Sequence, residues 1–187
     1  MMMLHGSQFA TDPRDVAART VDLVNLYRPR HSGRLIPVAA TIVDVLGRHG
    51  EPAAAELDVA TVERCRGVLA EVAEVFAIAE VDSAADVLNI LLKRYCAVPR
   101  LVRHDSWPWH LHVDEDDDAP WHRWIGASSA FALACLLAGR DTVPWGVCAA
   151  AGCERVFVHD DRGGRRNHCS VTCGTRTRVA RHRRQAE

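Results

Sequence analysis

The sequence predicts an α+β protein, mostly α: a helical N-terminal domain with one β-hairpin, then a small cysteine-rich module at the C-terminus. Three observations carry that reading. Apolar residues recur at spacings of three and four through most of residues 13–138. The recurrence gives way to alternation only around residues 100–113. Four of the seven cysteines fall after residue 147, in two close pairs.

The 187 residues suffice for one main domain and a small appendage, and a hydrophobic content of 48% supports a core and argues against wholesale disorder. No apolar run approaches the roughly 20 residues of a membrane helix. The N-terminus, MMMLHGSQFATDPR, lacks a basic region followed by an apolar one, so it does not read as a signal peptide. These features point to a cytoplasmic protein with no membrane partner.

Residues 1–12 read as a disordered tail and residues 13–143 as the α-rich domain. Asp12 or Asp15 can cap a first helix with Pro13 in its first turn. Val21, Val24 and Tyr27 continue that helix towards Pro29. Pro37 to Arg48 gives a second helix, broken by Gly50 and Pro52. Val59, Val62, Cys65, Leu69, Val72, Phe76 and Ala79 form the apolar stripe of a third, with Asp58 as its cap. A fourth starts near Asp82 or Ser83, buries Val87, Leu91, Tyr95 and Val98, and ends at Pro99. Residues 100–104 and 109–113 then alternate and read as a hairpin. Asp114 to Asp118 reads as a solvated acidic loop. Pro120 opens a fifth helix carrying Trp121, Trp124, Ser128, Phe131 and Cys135 on one side, and Gly139 ends it. Asp141 to Gly146 reads as a linker.

The module from 144 to 187 carries the clearest chemistry. Its cysteines are Cys148 and Cys153, four residues between them, then Cys169 and Cys173, three residues between them, with fifteen separating the pairs. Close pairs around a hairpin-sized insert are the ligand pattern of a structural zinc site. Gly152 supplies a tight turn in the first knuckle. Val156 to Val158 is a short strand, the Asp160 to Gly164 segment its turn, and Arg166 to His168 the returning strand. Cys169 and Cys173 open the last helix, where Ser170 or Thr172 can cap. His159 or His168 could replace a thiolate; the spacing favours the four cysteines. Knuckle, hairpin and ligand-bearing helix make the arrangement treble-clef-like. Apart from Val156, Phe157, Val158, Val171 and Val179 the module has little to build a core from, so one bound Zn²⁺ must supply much of its folding energy, on the order of 10 kcal/mol. Loss of zinc is therefore expected to unfold the module and spare the helical domain.

The formal net charge of −1 hides an asymmetry: residues 148–187 hold nine arginines against Glu154, Asp160, Asp161 and Glu187. That cluster suits a polyanionic partner. The near absence of lysine (Lys93 alone) belongs to the whole chain, so the clustering, not the arginine type, is the signal.

Taken together, the two cysteine pairs, Phe157, the arginine-rich hairpin, Cys173-Gly174-Thr175-Arg176 and the basic tail resemble the CGNR zinc finger family. Arg19-Thr-Val-Asp22-Leu-Val-Asn25 and the tryptophan-rich hairpin are similar to the ABATE domain that accompanies that finger. The resemblance implies a stress-responsive bacterial transcription regulator. Thr175 stands where the family has Asn, which weakens any base-reading role there; Arg176 is kept.

Other patterns carry less. His104, His110, His112 and His122 flank the acidic loop as a second metal site would, but the solvated loop is the better reading. Asp114, Asp116 and Asp118 imitate a calcium loop, yet Ala119 and Ile125 stand where that loop needs Gly and Glu. Asp22, Asn25, Trp107, Trp109, Trp121 and Trp124 are candidates for an effector pocket, with core packing as the plainer alternative for the tryptophans. Cys65, Cys96 and Cys135 read as buried small hydrophobes. Motifs for nucleotide-dependent, zinc-protease or serine-hydrolase catalysis are missing, and four thiolates leave zinc no open position, so no enzyme is expected.

The expected function is DNA binding in transcription regulation. Arg176, Arg178, Arg181, Arg183 and Arg184 would contact phosphates, with Arg162, Arg165 and Arg166 assisting. The N-terminal domain would sense a small-molecule effector or mediate homodimerisation. The alternative is an RNA-binding or protein-interaction module with purely structural zinc.

Overall fold

The computed structural model describes residues 12–28, 39–51, 57–103, 108–116, 118–159 and 165–185. The elements among them are α1 (Pro13–Val24), α2 (Ala39–Arg48), α3 (Val59–Val75), α4 (Val81–Tyr95), β1 (Arg100–Val102), β2 (His110–His112), α5 (Trp121–Leu137), β3 (Trp145–Val147), β4 (Val156–Val158) and α6 (Val171–Gln185). The protein is thus mostly helical, with two small antiparallel hairpins, β1–β2 and β3–β4. The tail up to residue 11, the Pro29 stop, the Pro37 start, Pro52, His104, Trp107 and the 160–164 turn all lie outside the described residues.

Helix α5 occupies the centre because its sequence is apolar or small on every side. Trp124, Ile125, Ala127, Ser128, Ala130 and Leu133 are fully buried, and α1, α3 and α4 pack around it. Its small residues allow close approach: a Cβ on Gly126 would lie 2.6 Å from the Tyr95 ring of α4. The caps follow local chemistry. Asp12 accepts from Arg14 N–H at the start of α1, with Pro13 in the first turn, and Asp58 accepts from Thr61 N–H at 2.7 Å to start α3.

Two buried polar clusters tie α1 into this core. The Arg19 guanidinium donates to Glu51 Oε1 (3.1 Å) and Ser128 Oγ (2.9 Å) and lies 4.2 Å over the Trp124 ring. Burial lowers the Arg19 pKa to about 10, with Glu51 opposing the shift. At the next residue, Thr20 Oγ1 lies 3.0 Å from Ser129 Oγ.

The β1–β2 hairpin forms as the alternation foresees, in the register Arg100↔His112, Leu101↔Leu111, Val102↔His110. The following loop needs a correction. Glu115, Asp116 and Asp118 are exposed, but Asp114 is buried, its carboxylate 3.2 Å from Arg100 Nη2 and 3.3 Å from His112 Nδ1. His110 and His112, two apart on β2, share the face that turns inward, and both are buried.

A second correction concerns the C-terminal hairpin. The partner of Val156–Val158 is Trp145–Val147, ahead of the first cysteine, not Arg166–His168. The segment read as a linker therefore contributes a strand. Trp145 and Val156 are buried in the same apolar core as α3 and α5, and Trp145 meets Phe76 edge-on. Asn25 closes the joint: its Nδ2 donates to Val156 O at 3.0 Å, and Val156 N–H donates to Asn25 Oδ1 at 2.9 Å. The hairpin consequently has a core, borrowed from the helical domain.

Candidate metal centre

Cys148 directly follows β3, and the chain then turns through a knuckle in which Cys153 N–H donates to Ala150 O and Gly152 adopts φ +71°. That left-handed backbone is open to glycine at little cost. Cys148 N–H donates to Arg155 O and Ala149 N–H to Asn167 O, pinning the knuckle to both flanking segments. Cys169 precedes α6 and Cys173 sits in its first turn. Ser170 Oγ accepts from Cys173 N–H at 3.2 Å, so Ser170 is the cap.

The ligand atoms of Cys148, Cys153, Cys169 and Cys173 all lie within 4.8 Å of one another. A tetrahedral zinc with bonds of about 2.3 Å needs sulfurs about 3.8 Å apart. The observed separations are 3.9 Å (Cys153–Cys169), 3.9 Å (Cys153–Cys173) and 3.5 Å (Cys169–Cys173). The four residues fit one structural Zn²⁺. Residues 145–186 match the CGNR zinc finger family. Among curated proteins, none matches this chain.

Electrostatics agree with the geometry. Burial pushes the Cys169 thiol up to about 12, with Cys173, Cys148 and Cys153 adding to the shift, and burial likewise raises Cys153. Four crowded thiols cannot ionise together without a cation, and a divalent ion removes that barrier. Neither nearby histidine is needed: His168 Nε2 lies 3.1 Å from Thr177 Oγ1, and His159 Nδ1 accepts from Arg166 N–H.

The arginines divide by place. Helix α6 buries only Cys173, and Arg176, Arg178, Arg181, Arg183 and Arg184 are all exposed on it. Arg176 reaches back to Ala151 O of the knuckle at 3.5 Å, and Arg178 donates to Thr175 Oγ1. Arg165 is exposed, while Arg166 donates to Val158 O at 2.6 Å and covers the Phe157 ring. Arg162 lies outside the described residues.

Among the described residues, the candidate effector residues do not gather in one pocket; Trp107 lies outside them. Asn25 is engaged with Val156, and Asp22 lies 3.1 Å from His49 Nε2. Trp121 and Trp124 pack edge-on in the core, whereas Trp109 is 63% exposed beside Arg103. Sequence reasoning missed Asn25 as a clasp and Trp145 as an anchor. An aromatic next to Gly146 and Val147 was a weak strand signal; nothing local pointed from Asn25 to Val156.

Proposed function

We propose that the protein binds duplex DNA through α6, held out by a treble-clef-like zinc module, and acts in transcription regulation. The observation that carries this is the exposure of α6: a helix of fifteen residues that buries a single side chain and carries five exposed arginines. A polar helix that buries so little needs a partner or strong local pairing to persist, and the described contacts of α6 beyond Cys173 are few. At 100° per residue, Arg183 and Arg184 fall on one side and Arg178 and Arg181 on the other, while Arg176 turns back towards the knuckle. A helix in the major groove is flanked by both phosphate strands, so basic groups on two sides suit it.

Zinc serves this reading as a structural anchor; its four thiolates leave no coordination position for catalysis. RNA recognition by base stacking is the weaker reading, because Trp145 and Phe157 of the module are both buried. The similarity of residues 19–25 to the ABATE motif supports a regulatory helical domain, with an effector or a second copy of the chain as its partner.

The test is fluorescence anisotropy with labelled duplex DNA at low salt, using zinc-loaded and zinc-stripped protein. Binding by the zinc-loaded form and at least tenfold weaker binding by the stripped form are expected. Absence of binding to both duplex DNA and RNA would reject the proposal in favour of a protein-interaction module.

A further inference from the structure

Between the β3–β4 hairpin and the segment that returns to the second cysteine pair lies a cleft of about 340 Å³, lined by Phe157, His159, Arg165, Arg166 and Asn167 among others. His159 N–H donates to Pro144 O, which continues the β3–β4 ladder one residue past Val158. Phe157 and His159 are two apart, so they share a face, and their rings meet edge-on at 5.5 Å. Arg166 fixes the other wall: its Nη2 donates to Val158 O at 2.6 Å and its guanidinium lies 5.1 Å over the Phe157 ring. His159 Nδ1 accepts from Arg166 N–H, so the neutral imidazole carries its hydrogen on Nε2. Among the described residues that Nε2–H has no acceptor, and the exposed Arg165 guanidinium has neither a hydrogen-bond nor an ion-pair partner. None of the described residues lining the cleft is acidic.

A concave site with two guanidiniums, an imidazole N–H and no carboxylate selects an anion rich in oxygen. Guanidinium forks match the oxygens of phosphate, and the imidazole adds a third direction of donation. Three donating side chains suit the several oxygens of a phosphate better than the two of a carboxylate. We propose that His159, Arg165 and Arg166 bind one phosphate group in this cleft. The electrostatics agree. Burial, and then Arg165, Arg166 and Arg140, hold the His159 imidazole below its ordinary 6.5, so it donates as a neutral group near neutral pH. A bound phosphate offsets the positive charge that these arginines crowd around the ring. The phosphate comes either from a nucleic-acid backbone, as a contact additional to those of α6, or from a phosphorylated small molecule. The chemistry at the cleft is the same for both, and it does not depend on DNA binding by α6.

The test titrates full-length, zinc-loaded protein with inorganic phosphate, and separately with sodium chloride to the same ionic strength, at about pH 7.5, where His159 is neutral. The readout is the imidazole signal of His159 in proton–nitrogen NMR, identified by its absence in His159→Gln. A saturable shift with phosphate and none with chloride is expected. Arg165→Gln, at an exposed and unpartnered position, should weaken phosphate binding at least about tenfold, the loss of one charge-assisted hydrogen bond. A short DNA duplex then identifies the source. Displacement of phosphate by the duplex assigns the cleft to a backbone phosphate; phosphate that stays bound assigns it to a phosphorylated small molecule. Failure of α6 to bind DNA would leave the phosphate shift intact. The proposal is overturned by a His159 signal that neither phosphate nor duplex moves, by an equal shift with chloride, or by unchanged phosphate affinity in Arg165→Gln.

Discussion

Asn25 pairs with both backbone polar groups of Val156, at 3.0 and 2.9 Å, across a sequence separation of 131 residues. The carboxamide acts as a one-residue extension of the β3–β4 sheet, and through it the end of α1 holds the hairpin that leads to the zinc ligands. Asn25→Ala would leave a buried N–H and a buried carbonyl unmatched, at roughly 1–3 kcal/mol each. Urea denaturation should show a loss of about 2–6 kcal/mol, with faster exchange at the Val156 amide. A loss below about 0.5 kcal/mol would mean that water replaces the clasp.

Zinc removal tests how far the module depends on the metal. Trp145 and Val156 belong to the main core, while α6 rests on the cysteine cluster. Chelation should therefore melt α6 and the knuckle and leave β3–β4 docked. Circular dichroism should lose about one helix of signal, and hydrogen exchange should keep Val156 protected. Loss of protection throughout 145–185 would restore the simpler expectation that the module unfolds as one unit.

The helices and the metal ligands were legible because their signals are local: apolar periodicity, Asp58 before Val59, paired cysteines, Ser170 before Cys173. The joint was not. Val156 and Phe157 looked like a meagre core because the residues that complete it, Phe76 and the buried face of α5, are far away in sequence. Strand pairing is non-local too, so Val156–Val158 announced a strand but not its partner. Asp114 shows the same limit: in a run of acids nothing distinguished the one that meets Arg100 from those that face water.

The Arg19–Glu51 pair should respond asymmetrically. Both side chains are almost fully buried, so removing one charge strands the other. Arg19→Met is expected to cost about 3–5 kcal/mol, and Arg19→Met/Glu51→Leu distinctly less. A double-mutant cycle by denaturation measures this; strict additivity would show that the two groups act independently.

Alkaline pH should weaken the fold partly through Cys65. Burial pushes its thiol from an ordinary 9.0 up to about 12. A raised folded-state value favours the neutral thiol, so the contribution is complete below about 9 and disappears as pH rises towards 12. Between those limits Cys65→Ala should lose less stability than the unsubstituted protein. Parallel curves would assign the alkaline loss to other groups.

Arg176 should behave differently from its helical neighbours. Its contact with Ala151 O ties it to the knuckle. Arg176→Ala should lower the thermal midpoint of the zinc-loaded protein and leave the salt dependence of DNA binding nearly unchanged. Relaxed preference at one base pair, without a stability change, would instead make Arg176 a base reader.

The most direct test of the account is the salt dependence of duplex DNA affinity, comparing the unsubstituted protein with Arg178→Ala/Arg181→Ala. Each phosphate contact contributes roughly −0.9 to the slope of log affinity against log salt. The account predicts a slope flattened by up to about 2 in the double variant, with affinity lost alike on all sequences and zinc content unchanged. An identical slope and affinity would contradict it, because the exposed arginines of α6 would then play no part in binding.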